Sequence, residues 1–474
     1  MSIIGKRNLF NLNNNQEKPK SFILMDHQMI AYNYLKNKNN RAILLFHTIG
    51  SGKTISSLYA AIKLGKPTII IGTKSSKKIF DDEIIKLLNI FNFKQDLFQF
   101  YSYQKIINLL EHNFDLFNDK IIIIDECHHL RNQTKQMMFI INSLHLAYKI
   151  ILMSGTPIIN HPVDIAVLIN IIKNKEVMTT DKSLFDFYYI EDINNNNYDV
   201  TFKNIEELKE KLSNAISYYE PKNGSILKID IEYPKTYLST AQLIEYKNYI
   251  VKLINPISKR IVHLETDINA EDFNVDFQTL DIKKKNAFLT ATRQLSNTVN
   301  NDSNAPKILK IIEHIKKGPK PVLVYSNFLA NGIYPISVNL NKENISHKII
   351  KGSTSQEKMS KIINEYNERK FDVLLISSAA SESITLLNTR QIHILEPHFN
   401  ESKINQVIGR AIRYKSHDKL PINERQITIY HWLSIFPNVI QYKTADEYLI
   451  WITRKKQNLI NKFIEIVKSV NIIL

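Results

Sequence analysis

The sequence predicts an α/β protein: two tandem parallel-sheet lobes with an irregular, mostly helical insert between them. Three observations predict it. From about residue 22, short β-branched runs alternate with longer helical patterns; the rhythm breaks after about residue 178; a second alternating series begins near residue 306. Continuous apolar strands separated by helices mark a parallel sheet covered on both faces, because each crossover lays a helix across the sheet. A length of 474 residues allows two such cores and an insert.

In the first series the order is strand 42–46 (AILLF), a glycine loop, helix 54–64 (TISSLYAAIKL), then strands 67–72, 97–101, 120–125 and 149–153, each followed by helix or loop. Residues 179–224 carry the Asn194–Asn197 run and mixed charge, with no strong strand. ILKIDIEYP (226–234) reads as a strand, 239–254 as a helix, and 258–286 as a charged insert. The second series runs helix 306–317, strand 321–325, helix 328–341, strand 346–350, helix 355–368, strands 371–376 and 391–395, helix 402–413 and strand 426–431. Residues 445–469 read as a basic amphipathic helix. The expected map is a flexible Asn-rich segment at 1–21, the first lobe at 22–178, linker and insert at 179–300, the second lobe at 301–440, and the basic C-terminal helix at 441–474.

The composition is globular, with 44% hydrophobic and 23% charged residues. A single cysteine, Cys127, excludes a disulfide framework and a cysteine-based zinc cluster, and fits a reducing compartment. No run approaches the roughly 18 apolar residues of a membrane span. The polar stretch MSIIGKRNLFNLNNNQEKPK lacks the apolar core of a secretory signal. A soluble, intracellular protein is expected. The net charge of +16 favours a polyanionic partner such as nucleic acid. Solubility on a Lys-rich background explains the charge as well, so it only supports what the motifs say.

Four constellations carry chemistry. LLFHTIGSGKT (44–54) sets an apolar strand against a loop holding two of the chain's 11 glycines. A strand ending at Phe46 and a helix starting near Lys53 aim the loop's N–H groups at a helix N-terminus, where an anion is favoured. Gly50 and Gly52 let the backbone close on phosphates, Lys53 reaches the β- and γ-phosphates, and the Thr54 hydroxyl ligates Mg²⁺. His47 stands where the G-x-x-x-x-G-K-[ST] pattern has its first glycine, and Thr48, Ile49 and Ser51 complete the loop. A turn with two chance glycines is the competing reading, and only later motifs decide.

IIIIDECHHLRN (121–132) places Asp125 and Glu126 at the C-terminal end of a buried strand, the edge where open α/β sheets bind ligands. Asp125 would hold Mg²⁺ through water, and Glu126 would orient and deprotonate the attacking water. LMSGTPIIN (152–160) follows another strand. Its Ser154 and Thr156, beside Gly155, would bond the carboxylate pair and sense the γ-phosphate, although Ser-Gly-Thr-Pro alone is an ordinary turn. In NQVIGRAIRYKSH (405–417), Gln406, Gly409, Arg410 and Arg413 recur at helical spacing on one face. Two arginines on a face are commonly a surface stripe. Here the first lobe lacks an arginine finger, so Arg410 and Arg413 are the candidates to stabilise charge on a transferred phosphoryl group.

Taken in order, MDHQ (25–28), GSGKT (50–54), DECHHLRN (125–132), SGTPIIN (154–160), VYSNF (324–328), SSAASESITL (377–386) and QVIGRAIRYKSH (406–417) resemble a superfamily 2 DExH helicase or translocase. DECHHLRN and SGTPIIN are similar to Swi/Snf-type ATPases. HTIGSGKT and GRAIRYKSH resemble the ATPases of nucleocytoplasmic large DNA viruses, a group with poxvirus, mimivirus and asfarvirus members that includes nucleoside triphosphate phosphohydrolase I and the early transcription factor small subunit. The resemblance covers roughly 22–178 and 306–435. It implies two RecA-like lobes, ATP and Mg²⁺ in the cleft between them, and DNA or RNA lying across both. It puts Gln28 on the adenine side and His128 in the water-activating box. Ser154, Gly155 and Thr156 would couple hydrolysis to movement, and Gln406 would join the arginine box.

Tyr325, Ser326, Lys351 and Gly352 would lie on the second lobe's nucleic-acid face, with Lys74, Ser75, Ser76 and Lys77 as candidates on the first. The basic helix, with Arg454, Lys455, Lys456, Lys462 and Lys468, would add electrostatic affinity or be a solvated face. The implied partners are viral RNA polymerase or transcription factor subunits, with no membrane. The implied place of action is the host cytoplasm or viral factory, with packaging in the virion. Two residues depart from the family pattern: Cys127 replaces the usual Ala, and Ser383 stands where Gly is usual. Two rivals stay open: a duplex translocase that never separates strands, and a weakly hydrolysing subunit anchoring a transcription complex.

Overall fold

The structure, a computed structural model, describes residues 24–472 except Ile49, Asn92, 193–199, 221–226, 255–269, 276–279, 379–383, Asn400 and 414–415. The expectations for Ile49 and Ser383 therefore lie outside the described residues. The strands are β1 (Ala42–His47), β2 (Thr68–Gly72), β3 (Phe98–Ser102), β4 (Ile121–Asp125), β5 (Lys149–Ser154), β6 (Ile190–Asp192), β7 (Val200–Phe202), β8 (Ile216–Tyr219), β9 (Lys228–Glu232), β10 (Lys235–Tyr237), β11 (Val322–Ser326), β12 (His347–Ile350), β13 (Val373–Ser377), β14 (Gln391–Ile394), β15 (Gln426–His431) and β16 (Leu433–Ile435). One six-stranded sheet has the order β3-β2-β4-β5-β1-β8 and the other β12-β13-β11-β14-β15-β9. Every pairing within both is parallel. These are the two parallel-sheet lobes the sequence predicts.

The central strands form because their side chains are apolar on both faces. Ile121 to Ile124 of β4 and Ile150 to Met153 of β5 are fully buried, as are Ile43 to Leu45 of β1. Each such side chain removed from water contributes roughly 1.5–3 kcal/mol. Strand order then gathers the motifs. β4, β5 and β1 are neighbours, and their register pairs Asp125 with Met153 and Phe46 with Ser154. The loops after all three strands thus open at one sheet edge.

Two placements differ from the sequence-based map. Ile216–Tyr219 and Lys228–Glu232, both inside the segment assigned to linker and insert, are edge strands of the first and second sheets respectively. The first lobe therefore draws on residues well past 178. Edge strands are held by backbone pairing on one side, so a short half-buried run such as ISYY carries little local signal.

The helix Ala445–Ser469 is the second difference. Ala445 and Leu449 pack with Tyr246, Phe273 and Phe288 in a core formed by the insert. Ile460, Phe463, Ile466 and Val467 belong to the first lobe's core. With 25 residues it spans about 37 Å, enough to bridge the two. Its basic residues have protein partners: Arg454 covers the Tyr233 ring at 4.7 Å, Lys462 donates to the Val200 carbonyl at 2.9 Å, and Lys468 pairs with Glu465 at 2.8 Å. No helix among the described residues is long and apolar enough to cross a membrane.

Candidate active-site cleft

The glycine loop turns from β1 into the helix Lys53–Leu64. Gly50 and Gly52 have φ of 82° and 87°, the left-handed region where a Cβ is costly. A Cβ at Gly52 would also collide with the Gln28 side-chain amide, so Gln28 lies directly against the loop. Lys53 donates to the carbonyls of His47 at 2.7 Å and Thr48 at 3.0 Å. Burial lowers the Lys53 ammonium's pKa against the opposing pull of Glu126 and Asp125. Thr54, the second residue of the helix, lines the same cleft.

His47 is buried, and its Nε2 lies 2.8 Å from the Ser217 hydroxyl of β8. Burial, then the charges of Lys53 and His27, hold its pKa down to about 3, so the ring is neutral at physiological pH. The loop is further held by His27, whose Nε2 meets the Ser51 carbonyl at 2.8 Å, and by the Thr48 N–H donating to the Tyr219 carbonyl at 3.0 Å.

The carboxylate pair sits at the end of β4. Glu126 has φ 50° and ψ 47°, an uncommon conformation for a residue with a side chain. Tyr103, absent from the sequence-based set, holds this turn: its hydroxyl donates to the Asp125 carbonyl at 2.7 Å and the Glu126 carbonyl at 3.2 Å. Burial, then the Glu126 charge, raises the Asp125 carboxyl to about 6, against Lys53 and a hydrogen bond from Ser76. Burial also pushes Glu126 up, but the His128 hydrogen bond and charge, with Lys53, outweigh it and leave Glu126 below its ordinary value. His128 Nδ1 lies 3.2 Å from Glu126 Oε2 and 3.0 Å from Ser154 Oγ, and Ser154 Oγ accepts the Thr156 N–H at 3.1 Å. His128 and Ser154 thus physically connect the SGT turn to Glu126.

The second lobe contributes the helix Glu401–Ala411 and the residues after it. Arg413 donates through Nη1 to Thr385 at 2.5 Å, and burial together with the neighbouring Arg410 lowers its pKa to about 10. A cleft of about 430 Å³ is lined from one side by Gly50, Lys53, Thr54, Asp125, Glu126 and His128, and from the other by Gln406, Arg410 and Arg413. With Arg131 and Lys403, its described lining has five Lys or Arg side chains against two carboxylates. That excess suits a polyanion. The two distant motif sets meet in one place.

A family model described as SNF2-related domain matches residues 68–317, and one described as helicase conserved C-terminal domain matches 306–415. A protein of Acanthamoeba polyphaga mimivirus described as "Putative ATP-dependent RNA helicase L538" is 43% identical over 95% of this chain and 98% of its own length. The chain belongs to the superfamily 2 ATPases of nucleocytoplasmic large DNA viruses. This ATPase is also 24% identical to nucleoside triphosphatase I of Melanoplus sanguinipes entomopoxvirus, over 96% of this chain and 80% of that one. It is 26% identical to the early transcription factor 70 kDa subunit of Rabbit fibroma virus, over 84% and 71% respectively. The ATPase is a nucleic-acid-dependent ATP hydrolase.

The nucleic-acid candidates divide. Tyr325 and Ser326 of the ATPase are buried, contrary to expectation. Ser326 Oγ donates to Glu396 at 3.0 Å, within a buried network where Asn327 and Asn297 also bond that carboxylate. Their backbone ends a central strand, and their side chains are spent inside the lobe. Ser75 and Ser76 line the same cleft as Lys53 and Asp125, while Lys74 and Lys77 are exposed. Lys351, with Thr354, Lys358 and Lys361, lines a separate groove of about 830 Å³ on the second lobe, and Gly352 is exposed beside it.

His27, Tyr103, Arg131 and Tyr219 were not assigned roles from sequence. Only His27 and Arg131 fall inside quoted motifs. Tyr103→Phe removes the donor that holds the carboxylate turn, so kcat should fall about fivefold, the worth of roughly one hydrogen bond. Steady-state ATPase assays check this, with KM for ATP staying near its wild-type value.

Proposed function

We propose that this ATPase couples ATP hydrolysis to movement along nucleic acid during viral transcription, in the host cytoplasm or viral factory. The carrying observation is the single cleft that joins Lys53, Asp125 and Glu126 to Arg410 and Arg413. The residues fit MgATP. The Thr54 hydroxyl and Asp125 carboxylate supply oxygen donors of the kind a hard cation takes, beside a loop of backbone N–H groups and an ammonium. When bound, Mg²⁺ neutralises charge on the β- and γ-phosphates.

Lys53 exchanges its two carbonyl partners for phosphate oxygens. Glu126, kept ionised by His128, orients the attacking water and takes its proton. Arg410 and Arg413 stabilise the charge that develops on the transferred phosphoryl group. Through His128 and Ser154, loss of the γ-phosphate changes the grip of the two lobes on a bound strand. Only a difference in grip between nucleotide states produces movement.

Asp125 gives this reading a pH signature. Its raised pKa means that the nucleotide-free protein takes up a proton as pH falls through about 6, which removes a metal ligand. Affinity for MgATP should therefore drop below that pH and level off above it, measured by titration from pH 5 to 8. The sign for stability is opposite: a raised carboxyl favours the fold at low pH, and that contribution is lost as pH rises through about 6.

ATPase turnover with no polymer, single-stranded DNA, duplex DNA and RNA tests the function. Strong stimulation by at least one polymer is expected, and none by any would remove the motor reading. A second reading is translocation on duplex DNA, alongside viral RNA polymerase or transcription factor subunits, without strand separation. The SNF2-related match over 68–317 favours it. Triplex displacement without strand displacement would support it.

A further inference from the structure

Strand β8 is the outer neighbour of β1, and the phosphate loop hangs from it. The Tyr219 carbonyl accepts the Thr48 N–H at 3.0 Å, and the Ser217 hydroxyl meets His47 at 2.8 Å. The Tyr219 ring stacks on His27 at 3.6 Å and 6°, and His27 holds the Ser51 carbonyl at 2.8 Å. Three of the loop's residues are thus fixed directly or indirectly by one edge strand.

The other edge of β8 is covered by residues that follow the helix Ala445–Ser469. The Asn471 side chain reads Tyr218 as a neighbouring strand would: its Oδ1 accepts the Tyr218 N–H at 2.7 Å and its Nδ2 donates to the Tyr218 carbonyl at 3.1 Å. The Ile472 N–H donates to the Ile216 carbonyl at 3.0 Å. At its start, the same helix is fixed beyond the first lobe. There Asp446 is wholly buried against Lys307 at 2.9 Å and accepts the Ser434 N–H at 2.9 Å. One helix therefore has one end in a buried ion pair beside the second lobe and the other followed by residues clipped to β8, the strand that braces the glycine loop.

We propose that Asn471 is a positioning residue for the phosphate loop, clipping β8 so that the loop keeps its nucleotide-binding shape. The proposal rests on the reading of residues 47–54 as the nucleotide site. Simple protection of a sheet edge is the alternative, and it predicts a change in stability alone.

The test uses the full chain with Asn471→Ala and the near-isosteric Asn471→Asp. The aspartate keeps an acceptor for the Tyr218 N–H but turns a second oxygen on the Tyr218 carbonyl. Steady-state ATPase is measured at saturating nucleic acid, with melting temperature alongside. Both variants should raise KM for ATP about tenfold, the worth of one or two hydrogen bonds, with kcat within about twofold of wild type. KM does not depend on how much enzyme is folded, so a lowered melting temperature does not obscure the result. Unchanged KM in both variants would overturn the proposal. Lys53→Ala, run in parallel, should abolish binding of a fluorescent ATP analogue. Retained binding there would overturn the nucleotide-site reading itself, and the proposal with it.

Discussion

Glu126→Gln lowers kcat about 10²–10⁴-fold while leaving ATP affinity near wild type, because it removes the base and keeps the shape. The expectation rests on the divided environment of the two carboxylates. His128, 3.2 Å away, keeps Glu126 ionised, whereas burial and the Glu126 charge raise Asp125. Two adjacent acids are thereby set apart in proton affinity, which is how one site holds a metal ligand and a base side by side. Single-turnover hydrolysis with a saturating polymer separates the chemical step from product release. If Glu126→Gln turned over at a rate near wild type, the water-activating role would belong elsewhere.

Arg413→Ala lowers kcat about 10³–10⁵-fold, and Arg410→Ala has an effect of the same order, with little change in nucleic-acid affinity. Both arginines line the cleft from the second lobe. Arg413 is already oriented by Thr385, and its depressed pKa reports that it is buried beside another guanidinium. Two adjacent cations held in a cleft are costly without an anion between the lobes. Arg413→Lys should recover little, since a point charge cannot reproduce the planar fork. The measurement is turnover of each variant at saturating ATP and polymer, against filter binding of the polymer alone.

Much of this site was legible because its chemistry sits in turns that directly follow buried strands. The Ile-rich β4 and the apolar β1 and β5 are recognisable from local composition, and the residues after them are motif residues. Gln28, Lys53, Asp125, Glu126, His128, Ser154, Gln406, Arg410 and Arg413 were all named from short patterns. Gln28 is seen pressed on Gly52, and the others surround one cleft or bond to its lining.

What was hidden is tertiary. β8 and β9 are edge strands whose partners lie far along the chain, so neither declares its sheet by local pattern. Tyr325 and Ser326 end a strand in the same way as Asp125, yet both are buried, Ser326 bonding Glu396 and Tyr325 bonding Asn327 beside it. The amphipathic helix Ala445–Ser469 advertised a basic face, but its apolar face serves two cores. Periodicity shows that a face is buried; it does not say against what.

The most direct test of the central claim is a structure of the protein with ADP, Mg²⁺ and fluoroaluminate, a mimic of the transferred phosphoryl group. The fluoroaluminate should lie between Lys53 and the Glu126-held water on one side and the guanidiniums of Arg410 and Arg413 on the other, each within hydrogen-bond distance. A nucleotide bound at the glycine loop with both guanidiniums turned away from the fluoroaluminate would contradict the two-lobe catalytic cleft.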